Sequence, residues 1–306
     1  MNAILSLVLL AAPPAVPWMA PPTFAPAFIH KACKKPAQRV VTLAPSATEI
    51  VFALGQGARV VGVSRFDDYP PAVKALPRVG GFLDPNLEAI VALRPDLVIA
   101  APNASIRPSL ERLDGLGIPV LVVPGNGFSD LFYGLDAIAA CLDAEPAAAR
   151  LSKDLAAAVD ALRAHPPPRR RVAVAYDRNP LILAGPGSFA DTLLNLLGAE
   201  NVVKLKSEYP AYSKEQLVLD APELIIDGSE VHAAETSSTA DPLVRLEGPR
   251  ALFWQKLGSL PAVKHRELWA LEGTELLRPG PRIVRGMQRL AEILAQAQSG
   301  PKDKSK

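Results

Sequence analysis

The sequence predicts an α/β protein: two Rossmann-like lobes with parallel sheets, joined by one long rigid α-helix, with a ligand cleft between the lobes. Three observations carry that expectation. Short apolar, β-branched runs alternate with helical stretches, as parallel strands covered on both faces require. The alternation stops over residues 128–164, where strand signals vanish. It then resumes, and the second half repeats features of the first.

In the first half, Arg39–Ala44, Arg59–Ser64, Asp96–Ala101 and Ile118–Val123 read as strands. Ser46–Leu54, Asn86–Leu93 and Arg107–Leu116 read as the helices between them. Right-handed crossovers then build one lobe. Asp130–Leu142 is a further helix, and Pro146 suits the first turn of the next. That helix, Pro146–Ala164, carries Leu151, Leu155, Val159 and Leu162 on one stripe. It would be ~28 Å long, and Pro166-Pro167-Pro168 ends it. It is a stiff connector, unlike a Gly/Ser linker.

In the second half, Arg171–Tyr176, Leu181–Ala184, Glu223–Asp227 and Glu267–Leu271 read as strands. Arg282–Ala295 is the last helix, with Ile283, Met287, Leu290 and Leu294 on one face. The polar, weakly patterned residues 232–249 read as a loop. The division expected is a signal peptide over 1–27, an N-terminal lobe over 28–127 and a helical region over 128–168. A C-terminal lobe over 169–300 and a disordered tail over 301–306 complete it.

The repeat is specific in its spacing. Glu88 stands seven residues before Pro95, which opens Pro-Asp-Leu-Val-Ile, and Glu215 stands seven before Pro222, which opens Pro-Glu-Leu-Ile-Ile. Leu54-Gly55 precedes Val60-Val61, and Leu197-Gly198 precedes Val202-Val203. Two similar lobes joined by a rigid helix make a cleft, and clefts between domains are where ligands bind.

Composition narrows the function. The 306 residues are 49% hydrophobic and 21% charged, enough for two ordinary cores. Thirty-three bases against 31 acids leave a net charge of +2. Only Arg169-Arg170-Arg171 and the lysine-rich tail form basic runs, so no stripe suited to nucleic acid exists. Residues 1–29 carry no charged side chain, and Ala3–Ala12 is a continuous apolar run apart from Ser6. That length suits an export signal and is too short to span a bilayer. Ala25-Pro26-Ala27 offers a small-x-small cleavage site, although no Lys or Arg precedes the apolar run. The plain alternative is a Pro-rich leader without an export role.

Cys33 lacks the apolar residue three positions upstream that a lipid-attachment motif wants, since His30-Lys31-Ala32 precedes it. A lipid anchor there is not expected. In an oxidising compartment Cys33 and Cys141 are a candidate disulfide; the alternative is two unrelated thiols.

Enzyme motifs are scarce. The chain has no phosphate loop and no Gly-x-Ser-x-Gly elbow. Its four histidines, His30, His165, His232 and His265, are scattered without ligand spacing, which disfavours a metal site built on them. Gly55-Gln56-Gly57 reads as a helix-to-strand turn, and Asp67-Asp68 as a turn-capping pair.

Residues 39–70 (RVVTLAPSATEIVFALGQGARVVGVSRFDDYP) and 79–100 (VGGFLDPNLEAIVALRPDLVIA) carry a resemblance. Asn179-Pro180, residues 209–216 (YPAYSKEQ) and 278–282 (RPGPR) extend it. The chain resembles the helical-backbone (class III) substrate-binding proteins of ABC importers, most of all their cobalamin-binding branch. The resemblance covers about residues 39–295.

It implies two α/β lobes on one long helix, with small hinge motion. It implies a monomer that binds a small-molecule ligand and docks on a membrane permease dimer with cytoplasmic ATPase subunits. Matched residue by residue, Glu88 and Glu215 would each meet permease arginines. Pro45, Phe66, Phe82, Tyr176, Tyr209 and Arg278 match positions that line the ligand cleft. Cobalamin is the ligand expected first, with haem or a ferric siderophore second; no cofactor and no metal are implied. Tyr176, Tyr209 and Tyr212 are the phenols that keep haem open. The cobalamin branch is rich in tryptophan around its cleft, whereas the matching positions here hold Phe82, Ala101, Tyr209 and Glu275. The location implied is the periplasm. Two other classes compete: a periplasmic tetrapyrrole enzyme, which needs a His or carboxylate cluster, and a scaffold or adhesin without a small ligand.

Overall fold

The structure, a computed structural model, describes residues 27–28, 33, 35–81, 83–123, 127–229 and 241–296. The expectations for residues 1–26, for Phe82 and for the tail 301–306 lie outside the described residues. The chain divides into two compact units. One is Met1–Ala157 with Pro279–Pro281, and the other is Ala158–Arg278 with Arg282–Lys306.

The first unit begins with β1 (Ala27–Phe28) and β2 (Val40–Thr42). Then come α1 (Pro45–Ala53), β3 (Val60–Val63), α2 (Leu87–Ala92) and β4 (Leu97–Ala100). It continues with α3 (Arg107–Gly115), β5 (Val120–Val122), α4 (Phe128–Leu142) and the start of α5 (Glu145–Ala164). Sheet order is β1-β5-β4-β2-β3. The inner pairs are parallel, with Val40 opposite both Val60 and Leu97, and Val98 opposite Val120. Among the described residues of this sheet, β1 alone runs antiparallel, Ala27 opposite Val122. β4 shows why its sequence is a continuous apolar run: all four residues are fully buried, since helices cover both faces of the sheet.

The second unit holds β6 (Arg171–Arg178), β7 (Leu181–Leu183), α6 (Phe189–Leu196) and β8 (Glu200–Asn201). Next are α7 (Lys214–Asp220), β9 (Leu224–Asp227) and β10 (Leu243–Arg245). Last come α8 (Leu252–Gln255), α9 (Pro261–Lys264), β11 (Leu268–Leu271) and α10 (Ile283–Gln296). Sheet order is β10-β11-β9-β6-β7, and β8 also pairs with β6. The parallel run β11-β9-β6-β8 has the same order as β5-β4-β2-β3 of the first unit, so the internal repeat is a repeat of topology.

The repeat extends to detail. The Asp96 carboxylate accepts the Gln38 N–H at 3.0 Å and the Arg39 N–H at 2.8 Å, at the entry to β2. Glu223 accepts the Arg171 N–H at 3.0 Å, at the entry to β6. Each acid follows the proline that precedes β4 or β9, so a carboxylate on one strand caps the start of its neighbour.

Two expectations are corrected. Residues 232–249 are not a continuous loop, because Leu243–Arg245 forms β10 against β11, Val244 opposite Ala270. Three residues are too few for a period, and the strand exists through its partner. β7 joins the sheet as an antiparallel strand, folding back on β6 through the Asn179-Pro180 turn.

α10 buries the expected Ile283, Met287, Leu290 and Leu294. α5 buries Leu155 and Val159, while Leu151 and Leu162 are half-buried and Ser152 shares the covered face. In the second unit, Asp227 is buried and accepts from Arg178 Nε at 2.7 Å, from Ser229 Oγ at 2.6 Å and from Trp254 Nε1. The fully buried Trp254 is thus a core side chain with its N–H satisfied.

The half-buried Asp136 on α4 is a local liability. Burial pushes its carboxyl up from 3.8 to about 6. A raised acid binds its proton more tightly in the folded state, so the stability it contributes is complete below pH 3.8 and lost as pH rises through about 6. Asp136→Asn is expected to raise stability at pH 8 by on the order of 1 kcal/mol, after discounting for solvent screening. At pH 3.5 it should change nothing. Urea unfolding at the two pH values measures this; equal effects at both would contradict it.

Candidate ligand-binding and docking residues

In a parallel sheet ligands bind outside the strands' carboxyl ends, and Pro45, Phe66 and Tyr176 lie at or just beyond such ends. In the first unit, β2 runs straight into α1, whose first residue is Pro45. Proline fits this place because its missing N–H is one the helix leaves unpaired. Beneath it, the buried Thr42 and Thr48 hydroxyls meet at 2.6 Å and fix the strand-to-helix step.

β3 ends at Val63 in a tight turn. Ser64 Oγ donates to Asp67 Oδ2 at 2.5 Å and accepts the Phe66 N–H at 3.2 Å. Arg78 Nη1 donates to the Ser64 and Asp67 carbonyls at 2.9 and 2.8 Å. Asp67 is therefore the turn cap its sequence context suggests. The turn pushes the Phe66 ring outward, 43% exposed, so Phe66 does not fill the lobe core.

One partner of Phe66 was not visible in the sequence. Arg65 makes two hydrogen bonds to Asp84, at 2.9 and 2.6 Å, and its guanidinium lies 5.0 Å from the Phe66 ring centre. The fork ties the turn after β3 to the turn ahead of α2. Its two members lie far apart in sequence and match no motif, so no periodicity reports them.

In the second unit, Tyr176 near the end of β6 meets Tyr209 edge-to-face, with ring centres 5.1 Å apart. Burial, with Tyr209 beside it, pushes the Tyr176 phenol above its ordinary range. Tyr209 itself is 46% exposed. Its segment is bound along β7 as an irregular edge. Gly185 N–H donates to the Glu208 carbonyl at 2.8 Å, Leu183 N–H to Pro210 at 3.2 Å and Tyr212 N–H to Leu181 at 2.8 Å. Arg278 is half-buried. Nearby, the buried Glu275 accepts from Arg282 Nη1 at 3.0 Å, and Arg282 Nη2 also reaches Thr274 Oγ1 at 3.0 Å.

Tyr212 is corrected as a candidate phenol. It is buried, and its hydroxyl donates to Asp220 at 2.5 Å. It locks the 209–213 segment onto α7, a role set by a carboxylate that the sequence reading did not connect to it.

Glu88 and Glu215 occupy the same place in the repeat. Each is exposed in the first turn of a short helix, α2 or α7. Each helix is capped by the side chain two residues upstream: Asn86 Oδ1 accepts the Ala89 N–H, and Ser213 Oγ the Gln216 N–H, both at 3.0 Å. An acid there is favoured by the helix dipole. Cys33 and Cys141 carry free thiols, the first half-buried and the second buried. Among the described residues, no group of three or more His, Cys, Asp or Glu is placed to hold a metal ion. No helix among them is long and apolar enough to cross a membrane.

Gly185 is where the Tyr209 segment comes closest to the sheet. A Cβ there would lie 1.9 Å from the Ser207 carbonyl oxygen. Gly185→Ala is expected to push the 207–212 segment off β7, at a cost of about 1–3 kcal/mol. Hydrogen exchange should quicken at Tyr212, whose N–H pairs with Leu181. Unchanged exchange there would contradict this reading.

Comparison with known proteins places these features in a family. The periplasmic binding protein family model matches residues 40–267. The vitamin B12-binding protein of Salmonella typhimurium is 30% identical over 263 residues, 85% of this chain and 91% of that protein. That of Pectobacterium atrosepticum is 29% identical over 273 residues, 86% of this chain and 91% of that protein. The crystal structure of the periplasmic vitamin B12-binding protein BtuF of Vibrio cholerae matches with a TM-score of 0.71 and 28% identity. It covers 86% of this chain and 99% of that one. The periplasmic heme-binding protein BhuT, in complex with two hemes, matches with a TM-score of 0.73 and 26% identity, over 85% and 98% of the two chains. These matches span both halves of the topological repeat, and the chain belongs to the periplasmic binding protein family.

Proposed function

We propose that this chain is the extracytoplasmic substrate-binding protein of an ABC importer, capturing cobalamin or a related corrinoid and delivering it to the membrane permease. The observation that carries this reading is the near full-length likeness to relatives named as vitamin B12-binding proteins. The chemistry of the open strand edges agrees with it. Phe66 in one unit and Tyr209 in the other offer exposed aromatic faces. Such rings bury much area on a corrin or porphyrin plate at little entropic cost. Pro45 borders the same edge as Phe66, and Arg278 supplies a cation for an amide, phosphate or carboxylate of the ligand.

Haem is the second reading. The likeness to BhuT favours it, together with the Tyr176–Tyr209 pair. Work in the periplasm follows from the family's role, with residues 1–27 read as the export signal. The permease with its ATPase subunits is the partner, and Glu88 and Glu215 are the docking acids.

Isothermal titration of the purified exported chain with cyanocobalamin tests the ligand. One-to-one binding at micromolar affinity or tighter, worth about 8 kcal/mol, is expected. No heat and no thermal stabilisation, with binding of haem instead, would replace the corrinoid by the second reading. Reversing both Glu88 and Glu215 to Lys should abolish uptake while changing ligand affinity less than about twofold, because exposed interfacial charges govern encounter and orientation. A large loss of affinity would place these acids in the ligand site.

A further inference from the structure

Ligand capture and docking leave the two cysteines without a part. Cys33 lies seven residues ahead of β2, and Cys141 is the penultimate residue of α4, 2% exposed. Each is the largest influence on the other's acidity, which marks the two thiols as neighbours. The approach is enforced by the backbone around them. Ala37 N–H donates to the Cys141 carbonyl at 2.8 Å. Arg59 Nη1 donates to both the Ala37 and Leu142 carbonyls, at 2.9 and 2.8 Å, tying the same two segments together. Asp96 then holds the next two amides, of Gln38 and Arg39. The segment leading into β2 is thus pinned to the end of α4 by the Ala37 amide and by Arg59, and to the entry of β4 by Asp96, none of which involves sulfur.

We propose that Cys33 and Cys141 form a structural disulfide that staples this entry segment to α4, and that Cys33 is thereby unavailable as a lipid-anchor thiol. The oxidising compartment in which it forms rests on the export reading above. Cys33 is the more accessible thiol, and the neighbouring Cys141 thiol pulls its pKa down. The neighbouring Cys33 thiol and burial push the Cys141 thiol up. Cys33 therefore reacts first. Its thiolate attacks the disulfide of a thiol–disulfide oxidoreductase, expelling one donor sulfur and giving a mixed disulfide. The Cys141 sulfur, deprotonated in the same step, displaces the second donor sulfur. Two protons and two electrons pass to the donor, which leaves as a dithiol. The new bond closes a loop of roughly a hundred residues, which restrains the unfolded chain strongly.

Intact mass after alkylation tests the proposal on the full exported chain, and in parallel on chain refolded with oxidised glutathione. No thiol should be alkylated before reduction, and two after it. A non-reduced digest should yield one peptide pair joining Cys33 to Cys141. Reduction should lower Tm by on the order of 5–10 °C. Alkylation of both thiols in the glutathione-refolded chain would overturn the proposal, as would a diacylglyceryl thioether on Cys33. Cys33→Ser should leave one alkylatable thiol and the same lowered Tm with or without reductant; a Tm that still falls on reduction would also overturn it. None of these readouts involves the ligand, so a failed cyanocobalamin titration leaves them intact.

Discussion

Covering both faces of a parallel sheet is the constraint on which the rest of this structure depends. β4, β9 and β11 are buried along their whole length, so no polar group can work from a sheet face without a desolvation cost of several kcal/mol. Among the described residues, side chains come out of these buried strands where the strands give way to turns. Phe66, Pro45 and the Tyr176–Tyr209 pair all sit at or beside such exits. The exposure of Phe66 and Tyr209 is a consequence of strand length and register more than of any local propensity.

The same constraint explains the devices that hold those residues still. A turn at the end of a short strand has little of its own to fix it. Ser64, Asp67 and Arg78 close the turn after β3, and Arg65 ties it to Asp84. In the second unit a close backbone approach does the equivalent work, with Gly185 against Ser207 and Tyr212 anchored on Asp220. A flat ligand gains most from rings that are already in place, since ordering a side chain on binding costs about 0.5–1.5 kcal/mol.

How much of this could be read from the sequence follows from the range of the interactions involved. The inner strands, α5 and α10 were legible because a buried stripe or apolar run is written in consecutive residues. The repeat was legible through spacing alone, and it set Glu88 and Glu215 in equivalent places before any coordinate did. β10 was not, because three residues against β11 carry no period. Nor was the Arg65–Asp84 fork or the Tyr212–Asp220 bond, since each depends on which partner the fold brings near. Tyr212 looked like Tyr209 as a candidate phenol; only the carboxylate on α7 separates an anchor from an available ring. The constraint on Gly185 was not legible either, because the Ser207 carbonyl that imposes it comes from a segment 22 residues on.

The central claim is the proposal that the chain captures a corrinoid with aromatic residues at strand exits, Phe66 in one unit and Tyr209 in the other. Hydrogen exchange with and without saturating cyanocobalamin measures this directly. The account predicts slowed exchange in two separate stretches, the turn over residues 64–67 and the Tyr209 segment over 207–212. Protection in only one of them, or binding accompanied by protection elsewhere and none at these exits, would contradict it.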